Sequence, residues 1–207
     1  MNFNLHRIRK RVIAHTTRLT SFAVAVAAVV ALGLSSSWYM VEAGFSLTTR
    51  QIGPWVMWTS TAKVDADPYT RAHFARSGAL MLSADIADSY LARTDGEGLK
   101  LHSSCDYVVE GQAPAAAWWS LSVFDEQGRL IPNPIARHAF TSDTVAIGAK
   151  GEVSVSLARN ARPGNWLPTG GAGRLALLLV LVEPRPQQGE DGVATLALPQ
   201  IRKVQCR

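Results

Sequence analysis

The most prominent pattern in the chain is a long uncharged segment, Leu19–Val41, made almost wholly of apolar and small residues. As an α-helix its 23 residues would measure about 34 Å, enough to cross a hydrocarbon core of about 30 Å. Positive side chains precede it in residues 1–18, which predicts a cytoplasmic arm, a transmembrane helix at 19–41 and an outer remainder. The alternative is a signal peptide cleaved near Ala43. Because the apolar region of a signal peptide usually has about 7–15 residues, a retained anchor is favoured.

The segment after the anchor changes character twice. Residues 42–66 indicate a juxtamembrane connection, with a candidate short strand at Trp55–Trp58. Asp67-Pro68 then has the form of an N-cap followed by proline at the first helical position. We therefore expect a short helix that continues to about Ser77 and ends at Gly78.

From there to the C-terminus the pattern is typical of strands. In residues 115–133, Trp119, Leu121 and Val123 alternate with a second set of side chains on the other face, and the strand is expected to end in the turn Asp125–Gly128. Residues 145–158 favour a hairpin with valines and a leucine inward, whereas residues 84–93 fit a helix or a strand. Leu175–Val182 is apolar on both faces, as expected of a central strand. Residues 67–207 therefore predict a mainly β domain, a jelly-roll-like β-sandwich.

Charge changes the picture only at the N-terminus. The formal charge is +5, and residues 1–18 hold five basic side chains and no acidic one. They are Arg7, Arg9, Lys10, Arg11 and Arg18. The remainder is balanced at 16 basic and 16 acidic side chains. A nucleic-acid-binding protein carries its basic excess along a docking face, so this class is excluded.

The two cysteines, Cys105 and Cys206, both lie on the predicted outer side. In an oxidising compartment they can pair, and a closed loop of about 100 residues would stabilise the fold by up to about 4–5 kcal/mol. Two unrelated thiols are the alternative. No second cysteine or close histidine pair completes a metal-ligand spacing, so no metal site is predicted.

Four segments together resemble a known bacterial family. They are GPWVMWTSTAKVDADPYTRA, the run SCDYVVEG to WWSLSVFD, LIPNPIARHAFTSD, and ARPGNWLP followed by an apolar strand and a proline. The family is domain of unknown function 1214, in its short form with one membrane anchor. The resemblance implies a jelly-roll-like all-β fold, no established activity, and pairing with a companion domain of unknown function 1254. The last strand of the family usually carries an aromatic residue, an arginine and a tyrosine. This chain departs from that pattern, since Leu175, Val180 and Val182 stand at those places.

Candidate chemistry is sparse. The sequence has no nucleophile elbow, zinc-protease motif, phosphate loop or dinucleotide fingerprint. Asp125, in the turn that ends a strand, is interpreted as a backbone cap, and lone histidines such as His138 as structural. The aromatic residues are the better lead, because Trp118 and Trp119 must face opposite ways.

The loop Ala161–Gly171 holds one tryptophan between two prolines. Either Trp166 plugs the end of the sandwich while Arg162 covers it or pairs with an acid, or a binding rim forms. The candidate binding residues are Arg162, Asn165, Trp166 and Trp118.

The leading functional hypothesis is a non-enzymatic protein of the Gram-negative inner membrane, with its C-terminal domain in the periplasm. Its expected contacts are membrane lipid and a companion-family envelope protein, without cofactor, metal or nucleic acid. The alternative is a glycan- or small-molecule-binding module, or an enzyme, with its site around Trp166.

Overall fold

The computed structural model describes residues 3–185, 187–188 and 194–206. The chain divides into two compact units, Met1–Gly44 and Phe45–Arg207. The first unit is one helix, α1 (Phe3–Ala43). Its portion Arg18–Ala43 has a mean hydropathy of 2.0, and none of this apolar window is buried. The expectation of one N-terminal helix long and apolar enough to span a membrane is confirmed.

The second unit is mainly β, as predicted, and consists of two sheets with a sandwich-like arrangement and one short helix. The six-stranded sheet has the order β1-β2-β3-β9-β5-β6, and the four-stranded sheet has the order β12-β4-β7-β8. The elements are β1 (Thr49–Ile52), β2 (Trp55–Trp58), α2 (Pro68–Ser77), β3 (Ala87–Ala92), β4 (Cys105–Gln112), β5 (Ala116–Asp125), β6 (Ala139–Thr141), β7 (Glu152–Ala158), β8 (Asn165–Pro168), β9 (Leu175–Pro184), β10 (Gln187–Gln188), β11 (Ala194–Thr195) and β12 (Gln200–Cys206). β10 pairs with β11 alone. The jelly-roll topology stays a prediction, and β8 runs parallel to β7.

Helix α2 has the ends that its sequence predicts. The carboxylate of Asp67 accepts hydrogen bonds from the backbone N–H groups of Tyr69 (2.9 Å) and Thr70 (3.0 Å). Gly78 ends the helix in the left-handed conformation, with φ of 66°, and donates to the carbonyl of Phe74. Both caps follow from local chemistry, because the first N–H groups and last carbonyls of a helix lack partners within it.

The core lies between the two sheets and follows the predicted alternation. On β5, Trp119, Leu121 and Val123 are buried, and on β7 the inward side chains are Val153, Val155 and Leu157. β9 lies between β3 and β5, which confirms that Leu175–Val182 is a central strand. Its inward leucines are fully buried, whereas the outward side chains are half-buried.

Three segments differ from their sequence-based interpretation. In the connection at 42–66 the candidate strand Trp55–Trp58 is confirmed as β2, but it also pairs with an unexpected strand, β1, in an antiparallel hairpin at the edge of the six-stranded sheet. The expected hairpin at 145–158 contributes only β7, with a single bridge between Ile147 and Val153. The loop around Trp166 contains β8. Residues 84–93, which fitted either element, form β3.

The cysteines are joined as predicted. A disulfide links Cys105 to Cys206 across a sequence separation of 101 residues. The two residues stand opposite each other in the antiparallel pairing of β4 with β12. The disulfide therefore fastens the end of an edge strand to its neighbour.

Candidate functional site

The side chain of Asn165 serves the backbone around it. Its Oδ1 accepts from the N–H of Ala146 (2.8 Å), and its Nδ2 donates to the carbonyls of Ala146 (2.8 Å) and Ser154 (3.0 Å). The residue is buried. An amide that exchanges two bonds with one backbone residue imitates a neighbouring strand, so Asn165 ties the turn before β7 to β8.

Trp166 faces away from the space between the sheets. It pairs with Ser156 in the register of β7 and β8, and both are half-buried, whereas the neighbouring Leu167 is fully buried. The indole Nε1 of Trp166 donates to the carbonyl of Ala158 (2.9 Å). Its own carbonyl accepts from Arg137 Nη1 (3.4 Å). Leu167, and not Trp166, is therefore the side chain of β8 that fills the core.

Arg162 forms an ion pair with a buried carboxylate. Its Nη2 contacts Oδ2 of Asp106, an oxygen that also accepts from Nε2 of Gln205 (3.1 Å). The side chain of Asp106 is only 9% exposed, and Asp106 and Gln205 each adjoin a disulfide cysteine. A buried charge requires a partner. The pair therefore satisfies Asp106 and joins the turn after β7 to the disulfide end of the sheet.

Trp118 lies elsewhere. It points outward from β5 in the six-stranded sheet, and its Nε1 donates to Oδ2 of Asp143 (3.0 Å). Trp166 points outward from the four-stranded sheet. The structure therefore brings Arg162, Asn165 and Trp166 to one region and leaves Trp118 on the opposite side of the sandwich.

A small apolar cavity of about 10 Å³ lies between the sheets. Such a volume has room for about one water molecule. Its lining includes Trp119, Leu121, Val155, Leu179 and Pro199. None of the four candidate binding residues lines it, so the cavity is not part of a site formed by these residues.

The lone histidines and Asp125 have local roles. The ring of His73 stacks on Trp58 with 4.3 Å between centroids, and His102 Nδ1 lies 2.8 Å from the hydroxyl of Ser104. Oδ1 of Asp125 accepts from the backbone N–H groups of Gln127 (3.0 Å) and Arg129 (2.9 Å), which confirms the cap. The pKa of Asp125 is lowered, mainly by the hydrogen bond from the backbone N–H of Arg129 and further by the guanidinium of the same residue. Among the described residues no three His, Cys, Asp or Glu side chains form a group that could hold a metal ion.

Sequence reasoning missed a hydrogen-bonded pair of titratable side chains on β3, Asp88 and Tyr90. The hydroxyl of Tyr90 donates to Oδ2 of Asp88 (3.3 Å). Burial raises the pKa of Asp88, against the lowering effects of the Tyr90 hydrogen bond and the charge of Arg50. Burial, followed by the charge of Asp88, raises the pKa of Tyr90 as well. The alternation of β3 could have indicated that the two side chains share a face, but not that they are enclosed.

Comparison with known proteins gives a match to one family model over part of the chain and a similar fold. Residues 87–186 match the model of a family described as "Protein of unknown function (DUF1214)". The solved structure of the VPA0106 protein from Vibrio parahaemolyticus is similar, with 20% identity and a TM-score of 0.56 over 71% of this chain and 39% of that chain. An uncharacterised protein from Burkholderia cenocepacia has 17% identity and a TM-score of 0.44 over 83% of this chain and 39% of that chain.

This chain thus spans well under half the length of both structures. At this level of identity, the likeness to the Vibrio protein shows the fold alone. None of the curated proteins compared with this chain matches it.

Proposed function

Since residues 87–186 of the sandwich domain match the model of the DUF1214 family of proteins of unknown function, we propose a function for this chain in the cell envelope. The chain is a single-pass inner-membrane protein with a cytoplasmic N-terminus. Its periplasmic domain associates with a companion-family protein, domain of unknown function 1254. The association is structural rather than catalytic.

The outward surface of β9 carries this proposal. Leu178, Val180 and Val182 alternate with fully buried leucines, and they remain half-buried although the strand is central in its sheet. Strands that are apolar on both faces belong to sheets covered on both sides. The four-stranded sheet covers the inner face, and a partner protein would cover the outer one.

Neighbouring strands extend this apolar surface. Leu91 on β3 stands beside Leu178, and Trp118 on β5 stands beside Val182. Phe124 lies further along β5 on the same outward face. We call these side chains the outer apolar face, defined by Leu91, Trp118, Phe124, Leu178, Val180 and Val182. Ser89, Ser120 and Ser122 lie among these side chains in the register, so the face is mainly but not continuously apolar. A mainly apolar surface with aromatic residues is typical of a protein interface.

The length of the Vibrio protein also supports a separate partner protein for this chain. Its chain contains this fold, yet the match covers only 39% of its length. The larger part of that polypeptide therefore lies outside the shared domain. A separate companion protein would supply to this chain what the longer chain carries in itself.

The alternative site around Trp166 has less support. The guanidinium of Arg162, the amide of Asn165 and the indole N–H of Trp166 all bond within the domain. Binding a glycan or small molecule there would require ligand atoms to compete with these bonds.

Site-specific photo-crosslinking in native membranes tests the partner surface. A benzoylphenylalanine replaces Ser122 on the outward side of β5, and a control replaces Ser154 on the outward side of β7. We expect the Ser122 variant, and not the Ser154 variant, to capture a companion-family protein, identified by mass spectrometry. Capture from Ser154 alone would contradict the surface, and capture from neither would contradict the partnership.

Membrane topology needs its own test. Carbonate extraction should leave the chain in the membrane fraction, and protease added to spheroplasts should degrade the domain from residue 45 onward. N-terminal sequencing should find Met1 or Asn2. A mature chain that begins near Gly44 would show that the anchor is a cleaved signal peptide.

A further inference from the structure

Exposed apolar side chains of the second unit concentrate on one part of its surface. In the portion of the chain that the structure describes, ten large apolar side chains outside α1 are exposed, and five of them belong to residues 47–86. The three most exposed are all among these five: Leu47 at 82%, Val64 at 96% and Leu80 at 101%. The other two are Leu82 and Ile86. We call these five side chains the apolar collar.

Hydrogen bonds hold the segments that carry the collar together. The N–H of Thr59 donates to the carbonyl of Thr48 (2.9 Å), and the N–H of Ala84 donates to the carbonyl of Thr61 (2.8 Å). Arg71 Nη2 donates to the carbonyl of Val64 (2.6 Å). Segments 45–49 and 59–66 therefore lie together, and Ala84 joins them. Leu80 and Leu82 lie on the connection that leads from helix α2 to Ala84, so the five side chains belong to adjoining segments.

The collar begins directly after the apolar helix. Leu47 follows the last residue of α1, Ala43, by four positions. Four residues span at most about 14 Å when extended. The headgroup layer on each side of the hydrocarbon core is several ångströms thick, since a bilayer of about 40–45 Å encloses a core of about 30 Å. Covalent continuity with the span thus keeps Leu47 within reach of the lipid interface.

The segments of the collar carry few charges. Lys63 Nζ pairs with Oδ1 of Asp85 at 2.8 Å, and the exposed Asp65, beside Val64, is the one further charged side chain on these segments. Apolar side chains that are fully exposed in water favour a boundary at which they can be buried. A lipid surface lies next to residue 43 if α1 spans the membrane.

We propose that the apolar collar inserts into the outer headgroup layer of the membrane and seats the periplasmic domain against the bilayer. This inference rests on the proposed anchor. It assigns to Leu47, Val64 and Leu80 the lipid contact that the remaining surface of the domain lacks. The outer apolar face is thereby left to the partner protein.

The test uses the full chain in nanodiscs and a matched pair of labels. Leu82→Cys and Leu130→Cys replace leucines of nearly equal exposure, 51% and 50%. Leu130 forms a bridge with Phe124 near the end of β5. The collar adjoins the opposite end of the six-stranded sheet, since Ile86 precedes β3 and Thr48 precedes β1. The ten residues of β5 span about 33 Å.

Because Cys105 and Cys206 are bonded to each other, the introduced thiol is the one available for an environment-sensitive fluorophore. We expect lipids with a headgroup nitroxide to quench the label at 82 strongly and to leave the label at 130 unchanged. Adding Leu47→Ser and Leu80→Ser to the Leu82→Cys chain should reduce that quenching. Near-UV circular dichroism checks that each variant is folded.

Two failures remain distinguishable. Equal quenching of the two labels, in a chain that resists carbonate extraction, would overturn the collar and leave the anchor intact. Release of the chain by carbonate would overturn the anchor, and the collar with it.

Discussion

Removing the disulfide should destabilise the sandwich domain strongly. The change is the double substitution Cys105→Ala/Cys206→Ala, because a single substitution would leave a thiol able to link two chains. The bond closes a loop of 101 residues. In the chain-entropy relation, a loop of this length restricts the unfolded state by about 4.7 kcal/mol. For a domain of 150–250 residues, about 1 kcal/mol corresponds to about 2–4 °C in Tm.

The expected decrease in Tm is therefore about 9–19 °C. The assay is thermal unfolding of the full chain in detergent, followed by tryptophan fluorescence and near-UV circular dichroism. The denaturant m-value should rise, because the unfolded chain without the crosslink exposes more surface. Reduced wild-type protein is the control and should melt with the double variant. A Tm difference below about 2 °C, or a reduced wild type that melts with the oxidised one, would refute this reasoning.

Five further substitutions, at four positions, test individual contacts. Leu167→Ala should lower the free energy of unfolding by about 2–5 kcal/mol, because the side chain is fully buried. Trp166→Phe removes one hydrogen bond to Ala158 and should lower it by about 1 kcal/mol. Similar losses for the two variants in urea unfolding would contradict the placement of Leu167 in the core and Trp166 outside it. Asp88→Asn should stabilise the domain at pH 7, because burial raises the folded pKa of this acid. In the wild type that penalty should shrink as pH falls through the raised pKa towards 3.8, and a variant with unchanged pH dependence would contradict it. Asp67→Ala should cost about 1 kcal/mol and Asp67→Asn much less; an equal loss in both would show that the cap does not act through its hydrogen bonds.

Elements with local signals were predictable from the sequence. Helix α2 follows from the chemistry of Asp67, Pro68 and Gly78, each within one residue of a helix end. The alternation on β5 and the apolar run of β9 predicted strands. A strand buried on one face alternates apolar and polar residues, and a strand buried on both faces is a continuous apolar run, so both patterns are visible in a single sequence. The disulfide followed from the number of cysteines and the predicted compartment.

Two features were missed because they depend on contacts that a local pattern does not display. β8 has only four residues and ends in Pro168, and it exists as a strand because β7 pairs with it and Asn165 bonds to Ala146. The pairing of Arg162 with Asp106 joins positions 56 residues apart. No local pattern specifies which acid an arginine will meet. The binding role of Arg162, Asn165, Trp166 and Trp118 stays a prediction.

The position of Cys206 also governs when this domain can mature. Its partner Cys105 is synthesised 101 residues earlier, which at about 5–20 residues per second is a delay of about 5–20 s. Throughout that interval Cys105 is an unpaired thiol, and β4 has no β12 beside it. The chain must therefore be synthesised as far as Cys206 before the native bond can form. An oxidant that acts too early on Cys105 would produce mixed disulfides instead of the native bond, so the order of synthesis and oxidation decides the yield of folded protein.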